Sequence, residues 1–236
     1  MTRTLSDSLR WIDEGTALVS DALAGVTDDA LAQPSVLPGW TRLHLLAHLA
    51  ANADALCNLV HWARTGEERP MYSSPTQRAD DIEAGATRPA TELRAWFARS
   101  AATLRTSLDS LGEEAWTRSV VTGQGRTVPA TDIPWLRVRE VMVHSTDLGA
   151  GVTFDDLPTD FLHALMGDIA TKRGSGEGPA LLVRDGAGTE WRIAGDGEPV
   201  VVQGLLPQLA AYLAGRPSTD VTAEDGSSAP ELPRWL

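Results

Sequence analysis

The feature that most constrains the fold of this chain is a series of four helix-length stretches that precede Gly151. In each stretch apolar residues recur with the spacing of an amphipathic helix, and Gly or Pro residues separate the stretches. Such a series predicts helices that bury their apolar faces against one another in a bundle. The predicted helices cover about residues 4–23, 41–64, 89–111 and 134–148.

The pattern changes after Gly151, where short apolar runs alternate with Gly and Asp turns. We predict a helix at 157–172, strands at 180–183, 190–193 and 199–202, a final helix at 204–215, and an extended or irregular tail. The predicted fold class is therefore multi-domain, α and α+β. A helical bundle occupies residues 1–152, and a small α+β domain at 153–236 is expected to cover the active site.

Composition narrows the range of partners and compartments. The 236 residues include 20 basic and 32 acidic side chains, and the net charge of -12 argues against nucleic acid or an anionic membrane as a partner. The single cysteine, Cys57, excludes an internal disulfide and a Cys-rich zinc site. The first residues turn polar too soon for a signal peptide, and no uninterrupted apolar run is long enough to span a bilayer, so we expect a cytoplasmic protein.

Three residues on two of the predicted helices form a candidate metal site. Glu140 and His144 lie one helical turn apart, and His48 can approach them from a neighbouring helix. Two imidazoles and one carboxylate can hold a divalent ion and leave a position for substrate. Taken alone, Glu140 and His144 read more simply as a surface ion pair. A second helical pair, His44 and His48, in a chain with five histidines favours the metal interpretation.

Other candidate site residues lie close to these ligands. Asp147 follows His144 by three positions and can orient its imidazole, although a solvated charge near a helix end is the simpler explanation. His44 is the alternative to His48, and can instead face the substrate or the edge of the core. Cys57 has no acid or base partner at helical spacing, so we interpret it as a small buried side chain.

The sequence around these residues resembles the mycothiol-dependent maleylpyruvate isomerase family, part of the DinB-like group of thiol-dependent metalloenzymes. The resemblance extends over nearly the whole chain, but the metal motif is not specific for a substrate. The matching stretches are residues 37–41 (LPGWT), 46–50 (LAHLA), 52–56 (NADAL), 139–148 (REVMVHSTDL) and the closing 231–236 (ELPRWL).

The resemblance implies a DinB-like four-helix bundle with zinc, or another divalent metal, held by His48, Glu140 and His144. It also implies that mycothiol binds at the metal as a thiolate and attacks a small electrophile. Arg216 is similar to the family's substrate-binding arginine, although Arg42, Arg137, Arg139 and Arg234 are rivals. Because Lys172 is the only lysine among the 20 basic residues, the coding sequence is expected to be GC-rich, which fits an actinobacterial, mycothiol-producing host.

Four functional interpretations therefore stay open. The resemblance favours a maleylpyruvate cis-trans isomerase, in which mycothiol is regenerated, or a mycothiol S-transferase, in which a thioether remains. A metal-dependent hydrolase would need a general base near the ion, for which Asp147 and His44 are the candidates. A non-catalytic metal- or thiol-sensing module is the alternative from another class. The sequence does not distinguish among the electrophiles that such an enzyme would use.

Overall fold

The computed structural model describes residues 3–233 and 235 and divides the chain into two compact units. One unit comprises Thr4–Val152, and the other comprises Arg3 together with the residues from Thr153 onward. The predicted fold class is confirmed, because the first unit is a helical bundle and the second combines helices with a sheet. The expectation that the second unit covers the metal site stays a prediction.

Four long helices build the first unit at the places where the sequence predicts them. Shorter elements connect these helices. The elements of this unit are α1 (Leu5–Ala24), α2 (Asp28–Leu31), α3 (Arg42–Thr65), α4 (Gln77–Ala86), α5 (Ala90–Asp109), α6 (Glu113–Thr117), β1 (Ser119–Val121), β2 (Thr127–Pro129) and α7 (Ile133–Asp147).

The ends of helix α3 show why this segment folds as one long helix. Thr41 is the N-cap, and its hydroxyl accepts the backbone N–H of His44, while the His44 ring returns a contact to the Thr41 backbone. This reciprocal capping satisfies donors that a helix start leaves unpaired. At the other end Gly66 has a φ of 80° and donates to the Trp62 carbonyl at 2.8 Å. A glycine adopts that left-handed conformation without a steric cost.

Helix α3 is the central helix of the bundle. Its buried residues lie on all sides because α4, α5 and α7 pack around it. By length and composition α3 would qualify as a membrane span, but 72% of its apolar window is buried inside the protein. That burial is typical of a core helix. Leu45, Leu49 and Val141 belong to the cluster that joins α3 to α7 and α5.

Helices α4 and α6 are not predicted from the sequence, and strands β1 and β2 pair as a short antiparallel hairpin. Helix α4 is hard to recognise because Ile82 is its one large buried apolar residue. Gly85 is required in α4 by close packing. A Cβ atom there would lie 2.7 Å from the Cβ of Ala47 on α3, well inside the contact distance of two carbon atoms.

The second unit contains a four-stranded sheet in the order β4-β3-β5-β6. Strand β5 runs parallel to β3, whereas β4 and β6 pair antiparallel with their neighbours. Helix α8 packs on β4, and α9 packs on β3 and β5. The predicted helices and strands are all present, and β6 forms within the predicted tail. The elements are α8 (Thr159–Arg173), β3 (Pro179–Asp185), β4 (Glu190–Ile193), β5 (Asp196–Gly204), α9 (Leu206–Leu213) and β6 (Thr222–Ala223).

Candidate metal centre

The candidate metal centre lies between helices α3 and α7 of the first unit. Helix α3 supplies His48, and α7 supplies Glu140 and His144 from one face. One turn further along α3, Asn52 accepts a hydrogen bond from Arg137, which precedes Glu140 by one turn of α7. The order of these two pairs shows that α3 and α7 run antiparallel at the centre. His48 is buried, and the side chains of Glu140 and His144 are 24% and 14% exposed.

The three candidate ligands converge on a single oxygen atom. The distance from Glu140 Oε2 is 2.9 Å to Nε2 of His48 and 3.2 Å to Nε2 of His144. One potential ligand atom from each residue lies within 4.8 Å of the corresponding atoms of the other two. Among the described residues, no other group of three His, Cys, Asp or Glu side chains comes this close together. The centroids of the two imidazole rings are 5.1 Å apart, edge to face. The structure thus brings together the three residues that the sequence predicts as a metal site, and their role as ligands stays a prediction.

The electrostatics of the cluster suit a divalent cation. Burial lowers the pKa of His48, which favours the neutral imidazole that a metal requires. Burial alone would raise the pKa of Glu140, but hydrogen bonds from His144 and His48 outweigh it and hold that pKa well below its ordinary value. The neutral His48 ring and the Glu140 carboxylate therefore carry the net charges that metal ligands need.

Asp147 lies directly behind His144. Its Oδ2 atom is 2.8 Å from Nδ1 of His144, and its side chain is fully buried. Burial alone would lower the pKa of His144. The hydrogen bonds to Asp147 and Glu140 outweigh burial, so the pKa lies above its ordinary value. This contact fixes the ring so that Nε2 faces the cluster, as a carboxylate does behind many metal-bound histidines. The contact is the one that we expected from the spacing, and its effect on metal binding stays a prediction.

The ring nitrogens of His44 contact the cap of α3 and a glutamate on α4, and these partners do not indicate a general base. Its Nδ1 atom lies 2.7 Å from the Thr41 hydroxyl in the helix cap, and its Nε2 atom is 3.6 Å from Glu83 Oε2 on α4. His44 is not a member of the metal cluster. A capping role explains the residue, and its participation in catalysis stays a prediction.

Two aromatic side chains near the ligand helices have separate roles. Trp40 lies beside the cluster, with its ring centroid 5.5 Å from that of His48. Trp135 is buried and packs against Trp11, with the two ring centroids 6.1 Å apart.

Cys57 is half-buried, and burial raises the pKa of its thiol, which disfavours the reactive thiolate. That environment agrees with an unreactive cysteine.

The predicted substrate-binding arginine, Arg216, lies in the second unit just after α9. Its Nη1 atom donates to the Ala214 carbonyl at 2.6 Å, so the guanidinium also caps the end of that helix. Its contact with substrate stays a prediction. Arg234, one of its rivals, lies outside the described residues.

Two of the rival arginines already have structural partners in the first unit. Arg42 donates from Nε to Leu148 at 2.6 Å, from Nη1 to Ala30 at 3.0 Å and from Nη2 to Gly149 at 3.1 Å, and all three acceptors are backbone carbonyls. Arg137 is fully buried and donates to the Leu49 carbonyl and to Asn52. Burial lowers the pKa of Arg137 to about 10. Both residues therefore connect α3 to other segments of the bundle.

Two residues that act electrostatically on or beside the cluster, Tyr72 and Arg78, are not predicted from the sequence. Tyr72 is half-buried in the loop after α3, and Arg78 is an exposed residue in the first turn of α4. Burial raises the pKa of Tyr72, Arg78 lowers it, and the Glu140 carboxylate raises it again, so the phenol is influenced by both charges. The signal for Arg78 would have been its helical spacing from Ile82, but α4 itself is hard to recognise.

Fold and site together define a class of protein, a four-helix bundle with a two-histidine, one-carboxylate cluster, joined to a small α+β unit. The family model described as the mycothiol maleylpyruvate isomerase N-terminal domain matches residues 12–149. The chain belongs to the mycothiol maleylpyruvate isomerase family, as its sequence motifs indicate. No curated protein matches the chain significantly.

Solved structures extend the similarity to the full chain. The crystal structure of the mycothiol-dependent maleylpyruvate isomerase is 42% identical, with a TM-score of 0.93, and the alignment covers 100% of both chains. A histidine-to-alanine mutant of that enzyme matches equally well, at 41% identity. The prediction that this chain is an enzyme related to these isomerases is confirmed.

A more distant structure supports the bundle alone. YfiT from Bacillus subtilis, known as a probable metal-dependent hydrolase with an unusual four-helix bundle topology, is 16% identical, with a TM-score of 0.51. The alignment covers 63% of this chain and 88% of YfiT. At that identity the likeness shows a shared fold.

Proposed function

We propose that the protein is a zinc-dependent, mycothiol-using enzyme that isomerises the cis double bond of maleylpyruvate. The observation that carries this proposal is the convergence of His48 and His144 on one carboxylate oxygen of Glu140, with Asp147 behind His144. Sequence identity of 42% over the full length of a mycothiol-dependent maleylpyruvate isomerase supports the same reaction.

The donor set fits a divalent ion with an open position. His48, Glu140 and His144 offer two nitrogens and one oxygen, a combination that catalytic zinc sites use. A zinc ion bound there supplies positive charge that stabilises the thiolate form of a thiol at neutral pH. The chain contributes no cysteine ligand that would compete with mycothiol. Asp147 orients His144, and the His48 ring is kept neutral by burial.

The isomerisation itself requires addition and elimination of a thiol. Addition to the cis double bond of maleylpyruvate leaves a single bond, which rotates before elimination returns the thiol and gives fumarylpyruvate. The substrate carries two carboxylates, so binding needs a cation beside the metal position. Arg216 is our sequence-based assignment for that cation. A cytoplasmic location follows from a thiol cosubstrate, since low-molecular-weight thiols stay reduced there.

An S-transferase that retains the thiol in a thioether shares every residue of this proposal, and only product analysis distinguishes it. The hydrolase alternative is weaker, because both candidate general bases are already hydrogen-bonded to other residues. Asp147 is hydrogen-bonded to His144, and His44 is part of the α3 cap. Membership of an enzyme family weighs against the sensor alternative.

The proposal is tested first by metal analysis and then by mycothiol titration of the cobalt-substituted protein. We expect about one ion per chain and a thiolate-to-cobalt charge-transfer band that the His48→Ala variant lacks. Metal without a thiol response would favour the hydrolase, and a protein that binds no metal would refute the assignment. Turnover of maleylpyruvate to fumarylpyruvate, with mycothiol recovered unchanged, separates the isomerase from the transferase.

A further inference from the structure

The two histidines of the metal cluster are held in different ways. Asp147 fixes the ring of His144 through a contact of 2.8 Å with Nδ1. Among the described residues, His48 forms one side-chain hydrogen bond, between its Nε2 atom and Glu140 Oε2. A single contact at one ring atom leaves the imidazole free to rotate about it. The orientation of the His48 ring therefore depends on the side chains that pack against it.

Two aromatic rings pack against the imidazole of His48. The ring centroid of His144 lies 5.1 Å away, edge to face, and that of Trp40 lies 5.5 Å away with the two planes tilted by 59°. Both separations fall within the range of favourable aromatic pairs. The His48 side chain is only 3% exposed, whereas Trp40 is half-buried. The indole thus covers part of the His48 ring and leaves its own remaining surface to solvent.

A tight turn at residues 35–40 (SVLPGW) fixes the backbone of Trp40. The Trp40 N–H donates to the Leu37 carbonyl at 3.1 Å, and the Trp40 carbonyl accepts the N–H and the hydroxyl of Ser35, both at 2.9 Å. Gly39 has a φ of 81°, a left-handed conformation that glycine adopts without a steric cost. The indole is therefore carried by a hydrogen-bonded segment at the start of α3.

The same turn is attached to the end of α7. The Val36 N–H donates to the backbone carbonyl of Asp147 at 2.8 Å, and the carboxylate of Asp147 contacts His144. One short segment thus contacts His48 through the Trp40 ring and contacts the residue that orients His144 through its backbone. Both metal-binding histidines are supported from this turn.

We propose that Trp40 is a positioning residue for the metal centre, because its indole holds the His48 ring toward Glu140 as Asp147 holds His144 from behind. Trp40 offers no ligand atom, so its effect on a bound ion is indirect. The inference rests on the proposed function for the presence of zinc, but the packing of Trp40 on His48 can be measured without metal. Because one aromatic pair contributes a modest free energy, its loss should weaken zinc binding without abolishing it.

The first test measures how well the His48 ring is covered in the metal-free protein. Histidine rings are acylated with diethyl pyrocarbonate, and each site is followed by mass spectrometry, with the 29% exposed His61 as the internal reference. Trp40→Leu should raise the rate at His48 relative to His61 by about 3- to 10-fold, and Trp40→Phe should raise it less. The matched control is Trp62→Leu, since Trp62 is a half-buried residue of α3 about four turns from His48.

The second test measures the metal centre itself by competition against a zinc chelator. Trp40→Leu should raise the dissociation constant for zinc by about 3- to 10-fold, and Trp40→Phe, which keeps an aromatic ring, should recover most of the affinity. The cobalt-substituted Trp40→Leu protein should also show altered d–d absorption bands, because a displaced imidazole changes the ligand geometry. Trp62→Leu should leave the zinc affinity and the cobalt spectrum unchanged.

The outcomes separate this inference from the proposed function. Equal His48 acylation rates and equal zinc affinities in Trp40→Leu and the parent protein would overturn the role of Trp40, as would equal changes in Trp62→Leu. Zinc binding that is weakened as much by Trp40→Phe as by Trp40→Leu would also overturn it, since the retained ring should compensate. A parent protein that binds no zinc would contradict the proposed function, while faster acylation of His48 in Trp40→Leu would still support the hold of Trp40 on that ring.

Discussion

Replacing Asp147 should weaken metal binding although Asp147 is not a proposed ligand. Its carboxylate is fully buried and lies 2.8 Å from Nδ1 of His144. A hydrogen bond to a charged group contributes about 1.5–3 kcal/mol, and about 1.4 kcal/mol corresponds to a factor of ten in an equilibrium constant. We therefore expect Asp147→Ala to raise the dissociation constant for zinc by about 10- to 100-fold. Asp147→Asn, which keeps an acceptor but loses the charge, should lie near the lower limit.

The assay is a competition titration against a zinc chelator, combined with a thermal unfolding scan of each variant. Asp54→Asn is the matched control, since Asp54 is an exposed carboxylate on α3 that accepts a hydrogen bond from Trp96. A folded Asp147→Ala protein whose zinc affinity stays within about twofold of the parent would refute the reasoning, because outer ligand partners ordinarily matter more than that.

Four further predictions follow from the same contacts. His144→Ala should remove most of the bound metal, and stoichiometric zinc in that variant by elemental analysis would contradict the ligand assignment. Cys57→Ser should leave metal content and thiol-dependent turnover unchanged, since burial disfavours the thiolate; an activity loss in a normally folded variant would show that the residue participates. Because the pKa of His144 is raised in the metal-free protein, protons compete with the ion and apparent metal affinity should increase with pH through that range, whereas a flat profile would contradict the linkage. Thr41→Ala removes the α3 cap and should lower the free energy of unfolding by about 1 kcal/mol in urea titrations while leaving zinc stoichiometry unchanged.

The long helices and the metal cluster are predictable from the sequence because both depend on periodicity. His48 stands on a helix with a strong cap at Thr41, and Glu140 and His144 repeat at one turn, so their positions follow from helix geometry. The contact of Asp147 with His144 follows from the same rule. His48 and Asp147 are buried, whereas Glu140 and His144 stay partly exposed, a difference that composition alone does not determine.

The residues that the sequence does not predict lie where hydrophobic periodicity is weak. Helix α4 has one large buried apolar side chain and a glycine, so neither hydrophobic pattern nor propensity identifies it. The position of Tyr72 depends on hydrogen bonds between its loop and the distant Asn58 and Gly123 regions. The partners of His44 are similarly a matter of local capping, which competes with any catalytic interpretation.

The three carbonyl contacts of Arg42 have a consequence for metal binding at the proposed centre. Two of them, to Leu148 and Gly149, join the start of α3 to the end of α7, so both ligand helices are held together by protein atoms alone. The metal-free protein should stay folded, unlike small zinc domains that unfold without their ion, and bound metal should add to an existing stability. Removal of the metal by a chelator and its later rebinding should then be reversible, because the protein stays folded throughout. If the centre binds a metal as proposed, we expect metal supply and ligand preference to decide which ion occupies it, because folding would impose no selection of its own.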